Sequence, residues 1–185
     1  MISLRAATPD DGASIAAIYA PYVVTNAVAF ESSAPSPKEM KARILAGEGL
    51  FPWIAAVDDE SNVVLGYAYA KPFRTGPNYR FVVETAVYGI GELVGQGIRR
   101  KLYAALIATL TEQNFTQAIS TLTMPNDKLI QMHEALGFKR GGVYREVSFK
   151  NGQWIDVGHY QRELADAGVP PAELKLFSDV GVVNA

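Results

Sequence analysis

Val94-Gly95-Gln96-Gly97-Ile98-Arg99-Arg100-Lys101-Leu102 is the stretch on which the fold turns. A glycine-flanked turn runs straight into a helix whose Ile98, Leu102, Leu106 and Leu110 fall on one face at helical spacing. The segment before it, Arg80-Phe81-Val82-Val83-Glu84-Thr85-Ala86-Val87-Tyr88, reads as a strand. Strand, glycine turn and helix start in that order present backbone N–H groups to an anion. Arg99, Arg100 and Lys101 occupy the first turn, where cations oppose the helix dipole. A bound phosphate gives those charges a local purpose; three cations facing water are the plain alternative.

Upstream, two helices announce themselves by their openings. Thr8-Pro9-Asp10-Asp11 and Ser36-Pro37-Lys38-Glu39 each place a capping hydroxyl before a proline and an acidic residue three positions on. Ile15, Ile18 and Tyr22 supply the apolar face of the first helix, Met40 and Ile44 that of the second, and Gly47 and Gly49 mark its end. The period then changes. Trp53–Val57 and Val63–Ala70 flank the polar turn Asp58–Asn62 and predict a hairpin. Downstream come a strand near 117–122, a short helix over 127–136, and a second hairpin in which Asn151-Gly152 joins Val147–Phe149 to Trp154–Val157. The fold class is α/β (α+β), a mixed, mostly antiparallel sheet flanked by helices. Residues 1–164 form the domain, and residues 165–185 form a C-terminal extension that packs on it or stays mobile.

Composition narrows the function. With 49% apolar residues, the chain has enough for one sizeable core. Its formal charge of -2 gives no global signal for nucleic acid. The sequence contains no cysteine, so disulfides and thiol nucleophiles are excluded, and with two histidines a zinc site has few ligands. No metal is expected. Neither a signal peptide nor a membrane-spanning run is present, so a cytoplasmic protein with no membrane partner is the expectation.

Several ordered segments resemble the GNAT superfamily of acetyl-CoA-dependent N-acetyltransferases, over roughly residues 2–164. The glycine turn matches its phosphate loop, Gln/Arg-x-x-Gly-x-Gly/Ala, at Gly97, with Val94 and Arg99 departing from it. Tyr79–Tyr88, Asn126–Phe138 and Phe149–Asp156 look like segments of the phosphinothricin acetyltransferase branch. The resemblance implies acetyl-CoA as co-substrate. Val94, Gly95, Gln96, Gly97, Ile98, Arg99 and Arg100 would hold its pyrophosphate, with Val87, Tyr88 and Gly89 along the strand edge that supplies backbone donors to a developing oxyanion. Asn126 caps the short helix or contacts the pantetheine arm.

Two residues are candidates for proton transfer. An amine is mostly ammonium at neutral pH and must lose a proton before it attacks a thioester. Glu84, a carboxylate in an apolar strand, suits that task, unless it only faces solvent or pairs with a cation. His133 sits where the branch carries a histidine, and it serves as acid or relay at the departing thiolate or as a satisfied core histidine. The implied acceptor is a small amino-acid-like amine such as phosphinothricin or methionine sulfoximine. Arg74 and Arg80 are candidates for its anionic groups, Phe30 and Tyr79 for the pocket wall, and Thr85 stands where the branch has histidine. The resemblance also implies a homodimer. A GNAT enzyme for a polyamine, an antibiotic amine or a protein N-terminus is the second reading, and a non-catalytic CoA- or metabolite-binding sensor the third.

Overall fold

The computed structural model describes residues 1–25, 27–47, 49–91 and 97–184. Strand β1 (Ile2–Ala6) leads through a short 3-10 turn (Pro9–Asp11) into helix α1 (Gly12–Val24). Its entry is fixed as the sequence predicts: the Thr8 N–H donates to the Asp11 carboxylate at 2.7 Å. Arg5 also grips that carboxylate, at 2.7 and 2.8 Å, and holds its pKa below the usual range. Helix α2 (Pro37–Leu45) opens on a reciprocal capping box between Ser36 and Glu39.

Strands β2 (Trp53–Asp58), β3 (Val64–Pro72) and β4 (Val82–Gly89) form an antiparallel meander. Helix α3 (Ile98–Glu112), strand β5 (Gln117–Met124) and helix α4 (Asp127–Ala135) follow, and strands β6 (Lys139–Lys150) and β7 (Gln153–Glu163) close the sheet. Both predicted hairpins are present, the second far longer than its turn residues disclosed. Strand β1 and the short helix α5 (Phe177–Val180) carry too few periodic residues to be read from the sequence.

The sheet runs in the order β1-β2-β3-β4-β5-β7-β6. Alternation along its strands sorts the side chains into two cores. On one face Ile54, Ala68, Val83 and Val87 meet Leu102, Leu106 and Leu110 of α3 and Leu129 of α4. On the other, Ala55, Val57 and Tyr67 meet Ile15, Ile18 and Tyr19 of α1 and Met40 of α2. The end of the chain lies against the first core through Leu174, Phe177 and Val182. Buried Gln113 ties it there, its amide donating to the carbonyls of Leu50 and Lys175 at 2.7 and 3.0 Å.

One break in the sheet creates the site. Strands β4 and β5 are parallel neighbours, yet they pair only at Val82–Gln117, Val83–Ala118 and Glu84–Ile119. Beyond Glu84 they diverge, while β4 stays paired to β3 as far as Gly89 and β5 to β7 as far as Met124. The β5-facing edge of β4 is thereby left without a strand partner beyond Thr85, and there the Tyr22 hydroxyl donates to the Gly89 carbonyl at 2.5 Å. Among the described residues no helix is long and apolar enough to cross a membrane.

Candidate active site

Glu84 stands at the apex of this divergence, as the last residue of β4 paired with β5. Its side chain faces a cavity of about 440 Å³ between the sheet and α1 and α2. Aromatic rings stiffen the walls. Trp53 stacks on Tyr69 at 4.3 Å between centroids, and Tyr88 meets Tyr19 edge-on at 4.9 Å. Burial pushes the Tyr69 hydroxyl up to about 12, so it stays a neutral phenol. Phe30 lines the cavity.

The cavity carries charge of both signs. Lys71 is the register partner of Glu84 on β3, and its Nζ lies 3.6 Å from Glu84 Oε2. Across the cavity, Arg43 of α2 holds Glu31 with both terminal nitrogens, at 3.1 and 2.5 Å. That contact keeps the Glu31 carboxyl below its ordinary pKa, with a Tyr19 hydrogen bond adding to it. The loop bearing Phe30 and Glu31 is tied to the long hairpin, because Lys150 Nζ donates to the Ala29 carbonyl at 2.7 Å.

A second, smaller cavity of about 30 Å³ sits in the β4–β5 wedge and shares Thr85, Ala86, Tyr88 and Thr121 with the first. His133 of α4 lines it and is buried. Its Nδ1 donates to the Leu129 carbonyl at 2.7 Å, which leaves Nε2 bare to accept from the Ser120 hydroxyl at 2.8 Å. Burial pushes the imidazole pKa down to about 4 despite the Leu129 contact, with the Arg99 charge lowering it further. His133 is therefore neutral at physiological pH and holds no spare proton there.

The remaining sequence candidates divide. Thr85 borders both cavities, but alternation turns its side chain to the α3 face, where its hydroxyl pairs with buried Tyr103 at 2.8 Å. Arg74, Tyr79 and Arg80 do not line the larger cavity. Arg74 lies over the rings of Phe73 and Tyr79, at 5.1 and 5.6 Å, and Arg80 pairs with Glu173 at 3.0 Å. Asn126 caps α4, accepting from the Leu129 N–H at 3.3 Å. Of the phosphate turn, Val94, Gly95 and Gln96 lie outside the described residues. Gly97 takes a left-handed φ of 75° immediately before α3, a conformation that glycine adopts freely. Ile98 sends its side chain into the core, and Arg100 is exposed.

Gly89 and Arg99 make a further pair. A Cβ on Gly89 would meet Arg99 Cγ at 3.3 Å, so glycine there gives the long arginine stem room. Arg99 Nε is buried and, among the described residues, has no hydrogen-bond partner. An orphaned cationic donor beside a helix start suits a phosphate-bearing ligand. No group of metal-binding side chains occurs among the described residues.

The Acetyltransferase (GNAT) domain model matches residues 4–158. The chain belongs to the GNAT acetyltransferase family. It is an acetyl-CoA-dependent acetyltransferase that acts on a small amine. Within GNAT, it is 38% identical over 165 residues to a phosphinothricin N-acetyltransferase of Alcaligenes faecalis, covering 88% of this chain and 82% of that one. It is 30% identical over 179 residues to the Streptomyces viridochromogenes phosphinothricin N-acetyltransferase, covering 97% and 96%. A GNAT superfamily phosphinothricin acetyltransferase from Sinorhizobium meliloti, solved in complex with AcCoA, superposes with a TM-score of 0.86. The two share 34% identity, with 97% of each chain covered.

Sequence reasoning missed Lys71, Glu31 and Arg43. Lys71 had a signal, since Tyr67, Tyr69 and Lys71 alternate onto one face of β3. Glu31 and Arg43 meet through the packing of a loop on α2, which no local pattern announces.

Proposed function

We propose that this enzyme acetylates the α-amine of a small amino-acid-like acceptor, of the kind represented by phosphinothricin and methionine sulfoximine. The observation that carries the reading is the position of Glu84, which faces the larger cavity at the point where the strands part toward the smaller one. An acceptor amine in the first cavity is thereby brought against an acyl group in the second. The relatives named above point to the same acceptor class. A cavity holding two carboxylates and two cations favours a dipolar acceptor over a polycation.

Acetyl-CoA, when bound, supplies the activated carbonyl. The first turn of α3, Arg99 and the free edge of β4 are the groups that would hold it. Glu84 accepts the proton of the acceptor ammonium, which frees the nitrogen lone pair for direct attack, and the cysteine-free chain offers no thiol for an acetyl-enzyme. Backbone donors beyond Glu84 face the carbonyl oxygen as charge develops on it. Neutral His133, locked by Leu129, fixes the Ser120 hydroxyl at the wall of the smaller cavity, and the second proton shed by the attacking nitrogen leaves on the departing thiol. We infer also that the protein is a homodimer joined through its long hairpin, whose Tyr144, Val147, Phe149 and Trp154 are exposed. The cytoplasm is the setting that fits a cysteine-free acetyl-CoA enzyme.

The test is thiol release from acetyl-CoA with phosphinothricin, methionine sulfoximine, methionine sulfone, common amino acids and polyamines. Turnover concentrated among the amino acids is expected. Turnover confined to polyamines would overturn the acceptor assignment and keep the chemistry.

A further inference from the structure

An α-amino acid brings an ammonium and a carboxylate attached to the same carbon. Once the ammonium faces Glu84, the carboxylate necessarily lies beside it and needs a cation close to Glu84 and on the same face of the sheet. Besides Lys71, four cations come into question: Arg43 and Arg80 hold carboxylates, Lys150 is held by the Ala29 carbonyl, and Arg74 does not line the cavity. Both terminal nitrogens of Arg43 are engaged by Glu31. Arg74 lies over Phe73 and Tyr79, and Arg80 is drawn away to Glu173.

Lys71 is different. It lines the cavity, and it sits on the strand next to Glu84 in direct register. Its only ion pair among the described residues is the one with Glu84, at 3.6 Å, longer than a hydrogen bond. Its side chain is 52% exposed, so the ammonium is free to reorient without disturbing the core. The pair is thus a protein dipole running opposite to that of an amino acid.

We propose that Lys71 is the anchor for the acceptor's α-carboxylate and that Lys71 and Glu84 together read the amino-acid head group. This rests on the amino-acid reading above and names the residue that enforces it. Binding exchanges an intramolecular ion pair for two intermolecular ones, Lys71 with the carboxylate and Glu84 with the ammonium. No charge is left unpaired in the cavity. An amine without the carboxylate leaves Lys71 on Glu84, where it competes with the substrate ammonium. Lys71 therefore selects for amino acids and against simple amines.

The experiment compares methionine sulfone with 3-(methylsulfonyl)propylamine, the same molecule without its carboxylate, for wild type, Lys71→Met and Lys71→Arg. Any effect of the substitution on folding or on acetyl-CoA binding is common to both acceptors and cancels in the ratio of their kcat/KM values. Loss of a charge-assisted hydrogen bond predicts that Lys71→Met reduces that ratio roughly tenfold to a hundredfold, mainly through the KM for the amino acid. Lys71→Arg should restore most of it. An unchanged ratio in Lys71→Met, with the amino acid still a good substrate of the wild type, would overturn the anchor alone. A wild type that acetylates polyamines but no amino acid would remove the acceptor reading and the anchor with it.

Discussion

Glu84 and Thr85 are chain neighbours with opposite fates, because successive side chains on a strand leave from opposite faces. Glu84 was legible in the sequence as a charge in an apolar run. Whether Thr85 faces the larger cavity depends on which face of the sheet carries it, and that is settled by where α1 and α2 pack. His133 was legible as a chemical group, but its protonation state was not, since this follows from burial against Tyr103, Phe138 and Tyr160. That state has a consequence for stability. The folded imidazole titrates near 4 against an ordinary value of 6.5, so between those values the unfolded chain binds the proton first. The contribution is intact above about pH 6.5 and is lost as the pH falls toward 4, to a limit of about 3 kcal/mol. Urea unfolding followed from pH 7 to 4 should show this slope in the wild type and a shallower one in His133→Asn. Parallel slopes would show that His133 carries no such linkage.

At the scale of elements, helix openings and hairpin turns were readable because their chemistry is local: a capping hydroxyl, a proline, an Asn-Gly pair. The divergence of β4 from β5 was not, because it is a register between strands joined by a helix, and no residue within either strand encodes where their pairing stops. The length of the β6–β7 hairpin also escaped prediction, since β6 is mostly exposed and its apolar residues do not alternate toward a core of this chain. Exposed Phe149 and Trp154, with ring centroids 5.2 Å apart near the tip, are what a partner copy would cover. Light scattering on the purified protein should give twice the chain mass, and Phe149→Glu with Trp154→Glu should shift it toward the monomer. A wild type that is monomeric at every concentration tested would contradict the dimer.

Taken as a whole, the molecule places two cavities back to back across the parting of a single strand pair. The sheet positions a carboxylate at the join, α1 and α2 border the larger cavity, and β5 and α4 line the smaller one. The proposed chemistry depends on Glu84. The direct measurement is steady-state thiol release by Glu84→Gln at saturating amino acid, with acetyl-CoA affinity followed separately by calorimetry. Removing the proposed base while keeping the shape of the side chain should lower kcat by roughly 10²- to 10⁴-fold and leave acetyl-CoA affinity close to that of the wild type. A variant that keeps kcat within about threefold of wild type, far less than the loss of a positioned base produces, would contradict it.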